Sequence, residues 1–174
     1  QRLFNYTIED IQEVITPMAQ KGKEALGSMG IDTPLAVLSN KPQLISNYFK
    51  QLFAQVTNPP LDGIREEIVT DISLALGKDR NIFSITERQC RKLKIQNPVI
   101  SNFDLEKIRN VSVESFKAET ISILYNKSEG LNGLENSLDS IIVSVSKALE
   151  RNSNIIILSD RGVKKGLAPI PSLL

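Results

Sequence analysis

The chain has 174 residues, 41% hydrophobic and 24% charged, and its 21 basic and 20 acidic side chains leave a formal net charge of +1. That size and balance describe one globular domain with its own core, and charges so interspersed, with no basic stripe interleaved by aromatics, form no track for nucleic-acid phosphates. Histidine is absent and cysteine occurs once, at Cys90, which excludes a histidine-based triad, a His or Cys metal centre and an internal disulfide.

In chain order, "NYTIEDIQEVITPMAQKGKEALGSMG" opens with a helix. Thr7 is placed to cap it, Glu9 and Asp10 lie in its first turn, and Ile8, Ile11, Val14 and Ile15 recur at helical spacing until Pro17 ends or kinks it. Glycines at 22, 27 and 30 mark a loop. "PLAVLS", residues 34–39, reads as a short buried strand, and a helix is predicted from about Pro42 to Gln55. Asn58-Pro59-Pro60 forbids its continuation, and a further helix is predicted from about Ile64 to Leu76. The stretch from Gly77 to Asn110 is polar and weakly periodic, a surface excursion holding a short strand at "NPVIS" and a short helix capped by Asn102.

The last third is patterned more strongly. "FKAETISILY" reads as a strand, "GLNGLENSLDSIIVSVSKALERN" as a helix with Leu131, Leu134, Leu138, Ile141, Ile142 and Val145 on one face, and "NIIILSDRG" as a strand buried on both sides. Strand, helix and strand at these lengths form a βαβ unit. The fold class expected is α/β: a Rossmann-like three-layer domain, with a mostly parallel sheet flanked by helices. No run approaches the length of a membrane span and the first residues lack a signal-peptide pattern, so no membrane partner and an intracellular or organellar setting are expected. A chain that opens on Gln1 and stops in "PIPSLL" is expected to be a piece of something longer.

Several motifs carry chemistry, each beside a plainer reading. Asp160 and Arg161 follow the last long strand, where open α/β sheets collect ligands, or they cap the turn before Gly162. "GSMG", residues 27–30, lacks the spacing of a phosphate-cradling loop, which disfavours a nucleotide site. Cys90 lies between Arg88 and Arg91, yet has neither a histidine nor a resolving thiol and reads as inert. Glu66-Glu67 reads as a solvated first turn, with Arg65 and Glu66 able to hold the adjacent loop by ion pairing. The double proline holds Thr57 and Asn58 in nearly one orientation, suited to a wall that presents polar groups without moving or to a simple helix corner.

"GSMGIDTPLAVLS", "YFKQLFAQVTNPPLDGIREEIV", "ITERQCRKL", "NIIILSDRG" and "APIPSLL", in this order along essentially the whole chain, resemble the central domain of glutamate synthase, the large-subunit or ferredoxin-dependent type. The resemblance implies an enzyme that hydrolyses glutamine at an N-terminal cysteine, passes ammonia through an internal tunnel to 2-oxoglutarate, and reduces the resulting imine with FMN fed by a 3Fe-4S cluster. The central domain then joins the glutaminase and FMN-binding domains of the same polypeptide. It holds no catalytic residue, cofactor or metal ligand of its own and is inactive alone. The resemblance gives tunnel-lining roles to Thr57 and Asn58, a place near the tunnel exit and flavin to Met29, and loop rigidity to Pro59 and Pro60. Two departures stand out: Asn40-Lys41 in "LSNKP" where the family has Asp-Arg, and Gly63 where it has proline. The electron donor is reduced ferredoxin or NAD(P)H. Abundant Ile (21), Lys (13) and Asn (13), as an A+T-rich genome favours, point to the ferredoxin type in a plastid (chloroplast) stroma or a cyanobacterial cytoplasm. Taken as a free chain, the same sequence reads as a non-catalytic stand-alone α/β scaffold or interaction domain.

Overall fold

The computed structural model describes residues 6–25, 34–49 and 60–174. The chain separates into two compact units, one built mainly from residues 1–56 and the other mainly from residues 57–172.

In the first unit the Thr7 cap is present. The Thr7 N–H donates to Asp10 Oδ2 at 2.8 Å and the Asp10 N–H donates to Thr7 Oγ1 at 3.0 Å, a reciprocal pair that satisfies two otherwise orphaned donors. Of the two outcomes expected at Pro17, an end or a kink, the first does not occur. A proline ring collides with the carbonyl four residues back, and here the preceding turn widens into a π-helical stretch, Asp10–Ile15, after which the Thr16 N–H reaches the Ile11 carbonyl. The chain continues as α1 (Thr16–Lys21) and stops at Gly22, whose φ of 59° is left-handed and whose N–H donates to the Met18 carbonyl. The strand expected at "PLAVLS" is instead a 3₁₀ turn, Ala36–Leu38, with Val37 71% and Leu38 73% exposed. The run is too short to hold an extended form without a partner strand, and local bonds from the Leu38 and Ser39 N–H groups take its place. Of the helix expected from Pro42, the described part forms a 3₁₀ turn, Ile45–Tyr48.

The second unit opens with α2 (Gly63–Val69), shorter than expected. Thr70 turns its hydroxyl back onto the Glu66 carbonyl at 2.7 Å, and Asp71 accepts from both the N–H and the hydroxyl of Ser73, a local alternative to continuing the helix. Strand β1 (Leu74–Leu76) follows and pairs antiparallel with β2 (Leu93–Ile95), Leu74 opposite Ile95. The strand expected at "NPVIS" therefore lies a few residues earlier, away from Pro98, which has no N–H for a ladder. Helix α3 (Asn102–Arg109) is capped by Ser101 rather than Asn102, Ser101 Oγ accepting from the Asp104 N–H at 3.1 Å.

The βαβ unit is present. Strand β3 (Ala118–Ser122) pairs in parallel with β5 (Ile155–Ser159), Ala118 opposite Ile155 and Ser122 opposite Ser159, across the crossover helix α4 (Gly130–Glu150). The chain turns at Ile123, whose N–H donates to the Ser159 carbonyl and whose carbonyl accepts from Ile170. That turn sends β4 (Leu124–Asn126) to pair antiparallel with β6 (Leu167–Pro169) rather than to widen the parallel pair. The described residues are thus mixed α/β, but their strands pair in twos, one pair parallel and two antiparallel. A mostly parallel, three-layer Rossmann-like sheet is not formed among them. Both α3 and α4 touch β3, and Ile121, Ala148, Ile155 and Ile170 are buried. On α4, Leu134, Leu138, Ile141 and Val145 turn partly inward, while Leu131 and Ile142, expected on the same face, are exposed. Gly133 is buried, and its position requires glycine because a Cβ there would lie 2.7 Å from Glu129 Cβ and 2.9 Å from the Asn126 carbonyl oxygen.

The end of α4 sets the register of the parallel pair. The Asn152 N–H donates to the Leu149 carbonyl and the Ser153 N–H to the Ala148 carbonyl, closing a Schellman cap with Asn152 left-handed at φ 62°. Asn154 then clamps both strands: its Oδ1 accepts from the Lys117 N–H at 2.9 Å, its Nδ2 donates to the Ser115 carbonyl, and its own N–H donates to the Lys117 carbonyl at 3.0 Å. Beside it, Glu119 pairs with Arg151 and accepts from the Ser153 hydroxyl at 3.1 Å. The Arg151 guanidinium, foremost, and the Ser153 hydroxyl hold the Glu119 carboxyl below its ordinary range, against the opposing effect of desolvation.

Two expectations follow. Asp62 is extended at φ −77°, ψ 153°, Gly63 is the first residue of α2, and nothing lies within 4 Å of a Cβ at Gly63. These are the conditions under which proline fits at a helix start, so Gly63→Pro is expected to raise stability by about 0.4–1 kcal/mol, read as a higher denaturant midpoint at unchanged slope. Because the Glu119 carboxyl is held low in the fold, the unfolded chain binds its proton first as pH falls. Its contribution is complete above the ordinary carboxylate range and is lost as pH falls through the lowered value. Thermal melts of Glu119→Gln and the parent are therefore expected to differ at pH 7 and to converge in strong acid.

Candidate functional site

The residues to which the sequence reading assigned a tunnel wall, Thr57, Asn58 and Met29, lie outside the described residues, as does Pro59. Pro60 is described, is exposed, and leads directly into the corner of α2. Asp62 locks that corner. Its Oδ1 accepts from the Ile64 N–H at 3.1 Å and the Arg65 N–H at 2.9 Å, and its Oδ2 lies 3.1 Å from Arg65 Nε. Of the ion pairing open to Arg65 and Glu66, Arg65 pairs with Asp62, while Glu66 makes no ion pair among the described residues and lies exposed with Glu67, as a solvated first turn does. Both members of the pair are well exposed, so their main contribution is the cap geometry rather than the charge.

At the carboxyl end of β5, the Arg161 N–H donates to Ser159 Oγ at 3.3 Å, and its guanidinium donates to Asn102 Oδ1 at 2.8 Å. Arg161 thereby ties the turn after the parallel pair to the first residue of α3. Asp160 is half-buried and makes no side-chain hydrogen bond among the described residues. Of the plainer reading open for "SDRG", a turn capped by both residues, Arg161 does its part and Asp160 does not among the described residues.

One concave region was not singled out by the sequence reading. A cleft of about 950 Å³ opens between the loop after β1, the 3₁₀ turn Glu87–Cys90 and the turn joining α4 to β5. Its rim carries Lys78, Arg80, Arg88 and Arg91, with Asp79 and Glu114. Asp79 pairs with Lys92, whose Nζ also donates to the Gly77 carbonyl at 3.1 Å, and Arg91 donates to Ser115 Oγ at 3.2 Å. Among the described residues, Lys78, Arg80 and Arg88 pair with no carboxylate. The signal was present in the sequence: residues 78–94, "KDRNIFSITERQCRKLK", are richer in basic than in acidic side chains. Balanced overall charge concealed that local excess.

Cys90, between Arg88 and Arg91, is exposed and free. No group of three or more metal-ligating side chains occurs among the described residues, and no helix among them is long and apolar enough to cross a membrane. An iron–sulfur cluster is held by several cysteine thiolates, and a chain with one cysteine does not fit it.

The family model described as the glutamate synthase central domain matches residues 1–174. The chain is 41% identical over its full length to the large chain of glutamate synthase [NADPH] from Bacillus subtilis, of which it spans 11%. It is 40% identical over 98% of its length to glutamate synthase [NADH] from Schizosaccharomyces pombe, spanning 8% of that protein. To ferredoxin-dependent glutamate synthase 2 from Synechocystis it is 40% identical over 92% of its length, spanning 10% of that protein. It therefore corresponds to about a tenth of the length of these relatives, and its resemblance to the central domain holds from one end to the other. The chain belongs to the glutamate synthase central domain family.

Proposed function

We propose that this chain is the connecting domain of a complete glutamate synthase, an oxidoreductase that forms L-glutamate from L-glutamine and 2-oxoglutarate. The observation that carries the reading is the family match over residues 1–174 together with relatives about ten times as long. Exposed apolar side chains support it. On α4, Leu131, Ile142 and Leu149 are 79%, 63% and 57% exposed, and on β5 Leu158 is 56% exposed, surface that a free domain seldom leaves bare. In the complete enzyme the glutaminase and FMN-binding domains of the same polypeptide cover such surface. There the parallel pair extends into the mostly parallel, three-layer sheet that its βαβ connection favours.

In this reading the domain holds no reacting group and is inactive alone. FMN and a 3Fe-4S cluster, carried elsewhere in the polypeptide, supply the reduction of the imine. The domain's part is to keep ammonia neutral and out of bulk water between the two reactions. Thr57 and Asn58 offer neutral hydrogen-bonding groups with no carboxylate to trap ammonium, and Met29 an apolar wall near the exit. Pro59 and Pro60 hold that wall open when the partner site is empty, and the Asp62 cap anchors the chain beyond it. Ferredoxin is the proposed electron donor, with the plastid stroma or a cyanobacterial cytoplasm as the setting, on the strength of the Ile, Lys and Asn excess. That relatives named for NADPH, NADH and ferredoxin all match the domain supports a donor determinant elsewhere in the polypeptide.

The test uses the complete polypeptide and compares glutamine hydrolysed with glutamate formed. The parent is expected to give one glutamate from 2-oxoglutarate per glutamine hydrolysed with reduced ferredoxin, and far less product with NADPH or NADH. Thr57→Val and Pro59→Ala are expected to release free ammonia, lowering that ratio several-fold while glutamine hydrolysis continues. Full coupling in both variants would remove the tunnel role, and equal rates with a pyridine nucleotide would remove the ferredoxin assignment.

A further inference from the structure

The cleft beside the α4–β5 turn divides into a floor and a rim of different character. The polar groups of the floor are already satisfied within the fold. Ser153, 4% exposed, donates its hydroxyl to Glu119, and Asn154 uses both ends of its amide on Lys117 and Ser115. A small-molecule site needs inward polar groups left available to orient its ligand, and the less exposed lining residues offer none, the unpaired amide of Asn152 belonging to an exposed residue of the turn. The rim is the opposite: Lys78, Arg80 and Arg88 are exposed, and among the described residues they pair with no carboxylate. Lys92 neutralises Asp79, and Arg91 is steadied by Ser115, its charge still facing the opening. Long, exposed cations around an open concavity of about 950 Å³ suit a partner surface, where complementary charge sets register and rejects wrong contacts.

We propose that this cleft receives an acidic segment of the same polypeptide from outside residues 1–174, so that Lys78, Arg80, Arg88 and Arg91 fix how the central domain sits against a neighbouring domain. The inference rests on the proposed function, because it needs the roughly nine-tenths of the polypeptide that relatives of this length carry beyond the matched region. Arginine suits such a contact, because its planar fork takes a carboxylate through two parallel bonds and stays charged at any physiological pH.

The intact mass of the native polypeptide is measured first. Zero-length carbodiimide coupling is then applied, which joins an amine to a carboxylate already in contact, and the linked peptides are mapped. The expected result is an amide between Lys78 and an Asp or Glu outside residues 1–174. The link disappears in Lys78→Arg, which keeps the charge but does not couple, and falls several-fold in the Arg80→Gln/Arg88→Gln double variant, whose Lys78 is intact. A Lys78 that stays uncoupled, or couples only within residues 1–174, for instance to Asp79 or Glu114, overturns the proposal. So does one-to-one binding of inorganic pyrophosphate that protects Lys78 and is lost in the double variant, which would make the cleft a small-anion site. A native mass near 19.3 kDa would instead overturn the proposed function itself, and this inference with it. A full-length, ammonia-coupled enzyme lacking the Lys78 link overturns this inference alone.

Discussion

The amide of Asn154 is the constraint on which the rest of the C-terminal unit depends. It joins two segments 37 residues apart in the chain, and it does so where the α4 crossover is handed to β5. The Schellman cap delivers Asn154 to that point, and the clamp sets the pairing of Ala118 with Ile155. A slip of one residue would exchange the inward and outward faces of β5 and take Ile155 from the core. Register also fixes the far end of the pair, because Ser159 opposite Ser122 is what leaves its carbonyl for the turning residue Ile123.

Legibility followed the length and regularity of the pattern. The crossover helix and β5 were readable because each carries a periodic or continuous apolar run long enough to exclude the alternative, and β3, with a weaker pattern, was read with bounds that ran past its end. The Thr7 cap was readable for a similar reason, a hydroxyl placed before an acidic first turn. "PLAVLS" was not, since a run of that length is extended only when a neighbour supplies a ladder, and the described residues supply none. The stops at Val69 and at Ile123 were hidden because they depend on side-chain bonds from Thr70 and Asp71, and on a carbonyl contributed by β5. That the helix would run on past Pro17 was hidden for a subtler reason: proline forbids one hydrogen-bond spacing, and a π turn offers another.

The candidate sites divide along the same physical line. Residue chemistry around the double proline left two readings open, a stiff wall and a plain corner, while the family assignment came from long motifs rather than from any local rule. The basic cleft escaped notice because its cations are contributed by a loop, a 3₁₀ turn and the residue after it, three pieces with no common periodicity. The fold brings them together around the Gly77 carbonyl, where Lys92 bridges back to Asp79 and draws the two sides of the β1–β2 connection into one wall. Local charge density, read over a window of this size, was the usable signal.

The parallel pairing has a consequence for synthesis. Strand β3 leaves the ribosome with its partner still 37 residues away, the separation that the Lys117–Asn154 bond spans. At ordinary elongation rates that interval lasts about 2–7 s, long compared with the microseconds in which a helix or hairpin forms. Through that time Ile121 lies on an unpaired edge beside Glu119, whose partner Arg151 has also yet to be made. Charged side chains on such an edge discourage strand-to-strand association, so Glu119 and its neighbour Lys117, which later support the register, stand where they oppose pairing with a wrong partner.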